Sequence, residues 1–471
     1  MNDPLGEPAI TRLREILGSG GLRTTVADRW AYSYDNSRRQ RLPGAVAVPA
    51  TQEQVRDIVN VCRDYGIPVC ARGLGTGTAG AAVPPQDGLV ISSEAMTGIS
   101  IDAANRVAVV QPGATNGAVQ RAAARHGFFW PPDPTSADYS TIGGNLACNA
   151  AGPRAVKYGT PRENTLGLRA VSGAGDELRT GCYTTKGVVG YDLTRLIIGS
   201  EGTLAIVTEA TLKLTPLPEQ VRVIRLLFDS VVGAAAAVSR LMAQPVVPRA
   251  LEFADSGALD LIRAYSAAAI APTARAMLMV EAEGSARSVD DNVAALIEAA
   301  GGSGLIEARA ATSDAEGAEL WRARKALSPA LRTIAPKKIN EDVVVPVSEM
   351  ASFIGHLGEL SARYDIPIVC FGHAGNGNIH VNLLIDPDNQ KQMTGAQACL
   401  QEVFAAVIER RGTLSGEHGI GYDKKEFVGI EIEPATLALM RRIKAQFDPD
   451  GILNPGKLFP SQDDSATAKA K

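Results

Sequence analysis

The chain has 471 residues, with 47 Lys and Arg against 51 Asp and Glu for a formal net charge of −4. At 45% hydrophobic and 21% charged residues its composition is that of a globular protein, long enough for two or three domains of roughly 150 residues each. A near-neutral charge argues against nucleic-acid binding, which shows as a basic excess, and no apolar run reaches the ~18–20 residues of a membrane span. Residues 1–8 have neither a basic nor an apolar signal region, so a cytoplasmic location is expected, with attachment to the inner face of a membrane left open.

In chain order, short apolar runs at 45–48, 69–71, 89–91 and 107–110 predict strands, and 54–65 and 118–126 predict helices. In 54–65, Val55, Ile58, Val59 and Cys62 recur at steps of three and four, which makes one buried face. Thr215-Pro216-Leu217-Pro218 marks a boundary, because two prolines there remove ladder donors. The first domain is therefore expected at 1–217. From Val221 the pattern restarts: a strand at 221–228, an Ala-rich helix, a strand at 276–281, a helix at 290–300, and strands around Val343 and 366–371. That order fits a ferredoxin-like domain over 218–420. A helical and turn-rich segment, 421–460, returns to the first domain, and the polar stretch 461–471 reads as a disordered tail. The whole is of the α+β class. Cys62, Cys70, Cys148, Cys182, Cys370 and Cys399 never form a C-x-x-C step, and all six are read as small buried hydrophobes.

Gly75, Gly77 and Gly80 match a G-x-G-x-x-G dinucleotide motif literally, but Pro84 and Pro85 stop the helix that motif requires. The loop Arg72-Gly73-Leu74-Gly75-Thr76-Gly77-Thr78 instead bares backbone N–H groups suited to phosphate, with Arg72 adding charge and Thr76 and Thr78 adding hydroxyls. Further loops carry Thr135-Ser136, then Thr141, Gly143, Gly144 and Asn145, then Asn149, and later Gly199 to Leu204. Small residues and amide donors of this kind suit a large flat ligand lying against backbone.

Taken together these loops resemble the vanillyl-alcohol-oxidase type of FAD-binding fold, over nearly the whole chain. Within it the sequence is similar to the D-lactate, glycolate and D-2-hydroxyglutarate dehydrogenases. The resemblance implies an FAD domain at 1–217, a ferredoxin-like substrate cap at 218–420 and a C-terminal segment returning to the FAD domain. It implies that the 72–78 loop holds the pyrophosphate, and that Thr135, Ser136, Thr141, Gly143, Gly144, Asn145, Asn149, Gly202, Ile206 and Asn454 line the cofactor. The first loop lacks the histidine by which some relatives tether flavin, so non-covalent FAD is expected.

The segment from Phe371 to Asn382 contains His373 and His380 around a Gly-rich reversal, and a strand at 379–385 puts His380 and Asn382 on one face. Two imidazoles with a carboxylate, for which Glu417 is the candidate, suit Zn²⁺ or another divalent ion such as Mn²⁺. In the family the resemblance implies that His373, His380 and Glu417 are ligands. His418 is expected to be the general base, since histidine titrates near neutrality and this one adjoins a ligand. A metal beside the hydroxyl would lower its pKa and orient the Cα–H bond. Arg324 and Ser328 stand four apart, on one face of a helix, and Arg324 can grip a carboxylate. In the D-2-hydroxyglutarate enzymes such a pair holds the distal carboxylate together with a lysine; Asn340 stands at that lysine's place, with Lys337 or Lys338 as substitute.

The expected activity is FAD- and metal-dependent oxidation of a D-2-hydroxy acid, foremost D-2-hydroxyglutarate, with D-lactate or glycolate as runner-up. Electrons would pass to an electron-transferring flavoprotein or a quinone, and a homodimer is compatible with the sequence. A non-catalytic flavin subunit of an oxidase complex is the reading from another class, but it has no need of the histidine–glutamate set.

Overall fold

The computed structural model describes residues 5–18, 20–265, 270–335 and 337–460; the expected tail at 461–471 lies outside the described residues. The chain divides into two units. One comprises the residues up to Gly152, Gly159–Leu217 and the segment from Glu417 onward; the other comprises Pro153–Tyr158 and Pro218–Gly416.

In the first unit the strands Leu22–Arg23, Ala45–Ala47, Leu89–Ser92 and Val69–Arg72 form a sheet in that order, the last three parallel. The helix Gln52–Tyr65 makes the crossover that parallel strands need. Thr51 caps its start by accepting the Gln54 N–H, Gly66 ends it in the left-handed conformation, and Val55, Ile58, Val59 and Cys62 are buried. A second, antiparallel sheet takes the order Ile99–Asp102, Val107–Val110, Ala205–Lys213, Thr165–Ser172, Glu177–Gly181. The C-terminal segment is built into this unit: Val69 N–H donates to Ile452 O at 2.8 Å, and Asn454 N–H returns a bond to Val69 O at 2.7 Å. Ile452 and Leu453 join the core of the first sheet. Four of the cysteines are buried as expected, but Cys148 is only partly covered and Cys182 is exposed beyond the edge strand Glu177–Gly181.

The second unit is one seven-stranded antiparallel sheet. Its strands are β1 Gln220–Phe228, β2 Ala250–Asp255, β3 Ala276–Gly284, β4 Leu305–Ala310, β5 Lys337–Val344, β6 Ile368–His373 and β7 Asn378–Ile385. Its helices are α1 Val231–Ala243, α2 Ser256–Tyr265, α3 Val289–Ala300, α4 Asp314–Ile334, α5 Met350–Tyr364 and α6 Gln390–Glu409. The strand order is β4-β1-β3-β2-β6-β7-β5. The first four strands give the 4-1-3-2 order of a ferredoxin-like fold, and β6, β7 and β5 extend it. The halves of that motif differ from the expected ones: β2 and β4 belong to it, whereas the strands around Val343 and 368–371 lie in the extension. Helices α2 and α4 share a core with Leu227, Ala254, Met277, Val369, Phe371 and Leu384. The same face of the sheet bears Glu252, His373 and His380.

Candidate active site

His373 ends β6 and His380 lies in β7, joined by the single turn Ala374–Asn376. Gly377 closes the turn at φ 71°, and a Cβ there would lie 1.9 Å from Val345 O, so only glycine makes the reversal. The two imidazoles consequently meet edge to face with ring centroids 5.3 Å apart. The ladder sets Glu252 of β2 opposite His373, and Asp342 of β5 opposite His380.

Each histidine has a buried carboxylate at its back. Glu252 Oε1 lies 2.5 Å from His373 Nδ1. Burial alone pushes the Glu252 carboxyl up, but the charges of His373 and Arg324 and the His373 hydrogen bond outweigh it and hold the group below its ordinary range. A carboxylate only accepts, so His373 Nδ1 carries a proton, and in the neutral ring Nε2 then keeps its lone pair for a ligand. Asp342 Oδ1 lies 3.6 Å from His380 Nδ1 and accepts from Asn378 Nδ2 at 2.6 Å; Oδ2 accepts the Gly416 N–H at 2.9 Å. Asp342 thereby ties the last residue of this unit, directly before Glu417, to the strand facing His380.

Arg324 of α4 is buried, 2.7 Å from Glu252 Oε2, with its guanidinium 4.8 Å over the Phe371 ring. Its Nε has no hydrogen-bond partner among the described residues. One turn on, Ser328 Oγ accepts from Lys338 Nζ at 3.0 Å. Lys338, Asn340 and Asp342 alternate along β5 and so share a face, with Asn340 opposite Asn382. Asn382 is fully buried; its amide donates to Val369 O and His380 O at 3.1 Å each, and its Oδ1 has no partner among the described residues.

In the first unit the backbone N–H groups of residues 75–78 make no hydrogen bond among the described residues, nor do the Thr76 and Thr78 hydroxyls. A Cβ at Gly77 would meet nothing nearer than Asp35 Oδ2 at 3.9 Å. Consecutive unspent backbone donors of this kind fit a pyrophosphate. Arg72 is buried and donates to Ala82 O and Ala31 O at 3.2 and 3.3 Å, which shapes the loop. Asn145 and Asn149 also spend their side chains inside the protein, on Asn116 and Ser140 and on Thr160 and the Arg162 N–H respectively. Ile206 is core, and Asn454 donates to Ala81 O and Glu201 O at 3.0 and 2.7 Å. Thr135, Ser136 and Gly202 lie in turns as expected, whereas Gly143 and Gly144, expected in a loop, lie in the first turn of the helix Ile142–Cys148, which Thr141 caps. Glu417 and His418 stand on the returning segment, where Glu417 Oε2 accepts the Gly152 N–H at 2.7 Å. Two residues on, the buried Glu201 accepts the Ile420 and Gly421 N–H groups.

Residues 217–458 match the family described as FAD linked oxidases, C-terminal domain, and residues 43–181 match the FAD binding domain family. The glycolate oxidase subunit GlcD of Bacillus subtilis is 37% identical over 95% of this chain and 96% of its own. A D-2-hydroxyglutarate dehydrogenase of Xanthomonas citri is 35% identical over 97% of this chain and 98% of its own. The chain belongs to the FAD-linked 2-hydroxy-acid dehydrogenases. The solved structure of p-cresol methylhydroxylase, at 19% identity, superposes with a TM-score of 0.77 over 96% of each chain, which places the family member in the vanillyl-alcohol-oxidase fold.

For a dehydrogenase of this family the sequence reading missed two acids, Glu252 and Asp342. Glu252 sits in Ala250–Asp255, six residues all of them buried, where a strand covered on both faces shows no alternation. An available signal was the pair of acids, Glu252 and Asp255, inside so short an apolar run. Among the described residues no helix is long and apolar enough to cross a membrane.

Proposed function

We propose that this dehydrogenase oxidises D-2-hydroxyglutarate, or a closely similar D-2-hydroxy diacid, with non-covalent FAD and a divalent metal, zinc foremost, held by His373, His380 and Glu417. The observation that carries the substrate reading is the Arg324–Ser328–Lys338 group: two cations and a hydroxyl on the face that also bears the histidine pair, matched to a second carboxylate. The metal reading is supported by the two imidazoles at 5.3 Å, each backed by a carboxylate, and by Asp342 holding the residue before Glu417.

Bound FAD supplies the acceptor for the Cα hydride, and the metal supplies positive charge beside the hydroxyl. His418 takes the hydroxyl proton, Arg324 and Lys338 hold the carboxylate ends, and Asn382 Oδ1 offers a buried acceptor. Electrons then leave to an electron-transferring flavoprotein or a quinone. A monoacid, glycolate or D-lactate, is the second reading: Arg324 is already matched by Glu252 at 2.7 Å, which lessens its need for a substrate anion, and the Bacillus relative is named for glycolate. Anaerobic mixing of the yellow protein with D- and L-2-hydroxy acids tests both, because flavin bleaching reports the substrate without its acceptor. Bleaching by D-lactate or glycolate at far lower concentration than by D-2-hydroxyglutarate would overturn the diacid reading.

A further inference from the structure

We propose that Glu252 is a positioning residue that holds His373 and Arg324 in register with each other. Its two carboxylate oxygens are divided between them, Oε1 at 2.5 Å from His373 Nδ1 and Oε2 at 2.7 Å from Arg324 Nη2. Glu252 is 2% exposed and sits in a central strand, so neither the hydrogen bond to His373 nor the ion pair with Arg324 competes with water. The ladder opposes Glu252 to His373 directly, and Phe371 clamps Arg324 from below, so the three groups have little freedom to rearrange.

The consequence is chemical. Accepting the Nδ1 proton fixes the His373 tautomer and turns Nε2 outward, which is the form a metal requires. The other oxygen pairs with a guanidinium whose Nε is unspent among the described residues. One buried carboxylate thus sets both the lone pair offered to a metal and the donors offered to an anionic end of the substrate. The inference rests on the reading of His373 as a metal ligand.

Glu252→Gln separates these roles. Glutamine accepts through one atom only, so its amide must donate toward either His373 or Arg324 and the arrangement loses its unique form. The FAD-loaded, chelator-stripped protein, labelled with ¹⁵N at its five histidines, gives the ring signature over a rising pH series, read at the limit where it stops changing. Wild-type His373, assigned by loss of its signal in His373→Ala, is expected with Nδ1 protonated and Nε2 bare. In Glu252→Gln that preference is lost, Zn²⁺ affinity by competition with a chromophoric chelator falls roughly 10- to 100-fold, and the flavin absorbance is unchanged. At saturating Zn²⁺ the KM for the 2-hydroxy acid still rises, because Arg324 has lost its fixed partner.

An Nε2-protonated His373 in the wild type overturns the proposal whether or not the variant folds. So does a Glu252→Gln protein with unaltered ring signature and Zn²⁺ affinity. A wild-type protein that shows the expected ring signature but binds Zn²⁺ no better than His380→Ala overturns the metal reading, and with it the coupling, while the orientation of His373 stands.

Discussion

Lys338 Nζ donates to Ser328 Oγ at 3.0 Å, joining the start of β5 to the middle of α4 one turn beyond Arg324. The contact brings a second cation to the face of the sheet that carries His380 and Asn382. If the pair grips a distal carboxylate, Lys338→Met should lower kcat/KM for D-2-hydroxyglutarate roughly ten- to 150-fold, the equivalent of one charge-assisted hydrogen bond at about 1.5–3 kcal/mol. D-Lactate has no group to lose that bond and should change little. Lys338 does not touch His373, so this variant probes the substrate without disturbing the histidine pair. Equal losses on both acids would move the monoacid reading ahead.

Metal removal is the second prediction. The histidine pair and the glycine-rich loop of residues 72–78 occupy different units of the chain, so a chelator should abolish turnover while the flavin spectrum persists. His380→Ala should behave likewise and resist rescue by ordinary metal concentrations. Full activity in rigorously metal-free protein would defeat the metal assignment.

The flavin itself provides a third. No histidine or cysteine lies in residues 72–78, so the loop has no nucleophile of the kind that tethers a flavin. Acid precipitation should therefore release FAD into the supernatant. Yellow colour remaining with the precipitated chain would show a covalent link.

His418→Ala should depress kcat for every substrate with FAD and metal retained, because a base acting at the common hydroxyl does not distinguish one acid from another. A loss confined to KM would point instead to a binding role.

Much of this site was legible in the sequence because its parts are local. Two histidines around a Gly-rich reversal, and Arg324 four residues from Ser328, are spacings that a strand or a helix converts directly into shared faces. What escaped notice depends on strand pairing. Glu252 comes from a strand 121 residues before His373 and meets it only through the β2–β6 ladder, and Asp342 meets His380 only through β5–β7. β4, Leu305–Ala310, was missed for another reason: Glu307, Ala308, Arg309 and Ala310 favour helix locally, and pairing with β1 overrides that preference. Arg72 is a different case. Its place in a glycine-rich loop suggests charge offered to a phosphate, and only the fold shows that two of its donors also go to carbonyls of its own unit.

The last prediction concerns pH. Asp255 ends β2, where Oδ1 accepts the Ala258 N–H at 2.9 Å and Oδ2 the Cys370 N–H at 2.6 Å. Burial pushes its carboxyl up to about 6, against the downward pull of those N–H bonds. The unfolded chain then releases this proton near the ordinary value of 3.8 while the folded chain keeps it to about 6. Unfolding therefore releases a proton across that window, and stability falls as pH rises through it. The contribution is fully present below the unfolded value and lost above about 6. Between pH 5 and pH 7 the loss is about 1.4 kcal/mol, one decade of proton linkage. Asp255→Asn cannot titrate, so the difference in unfolding free energy between wild type and variant should narrow by that amount across the same interval, with all other groups cancelling. Urea denaturation at several pH values, read on both proteins, gives the difference directly. A gap that stays constant would show an ordinary carboxylate, and one that widens with pH would mean that the two N–H bonds, not burial, dominate at Asp255.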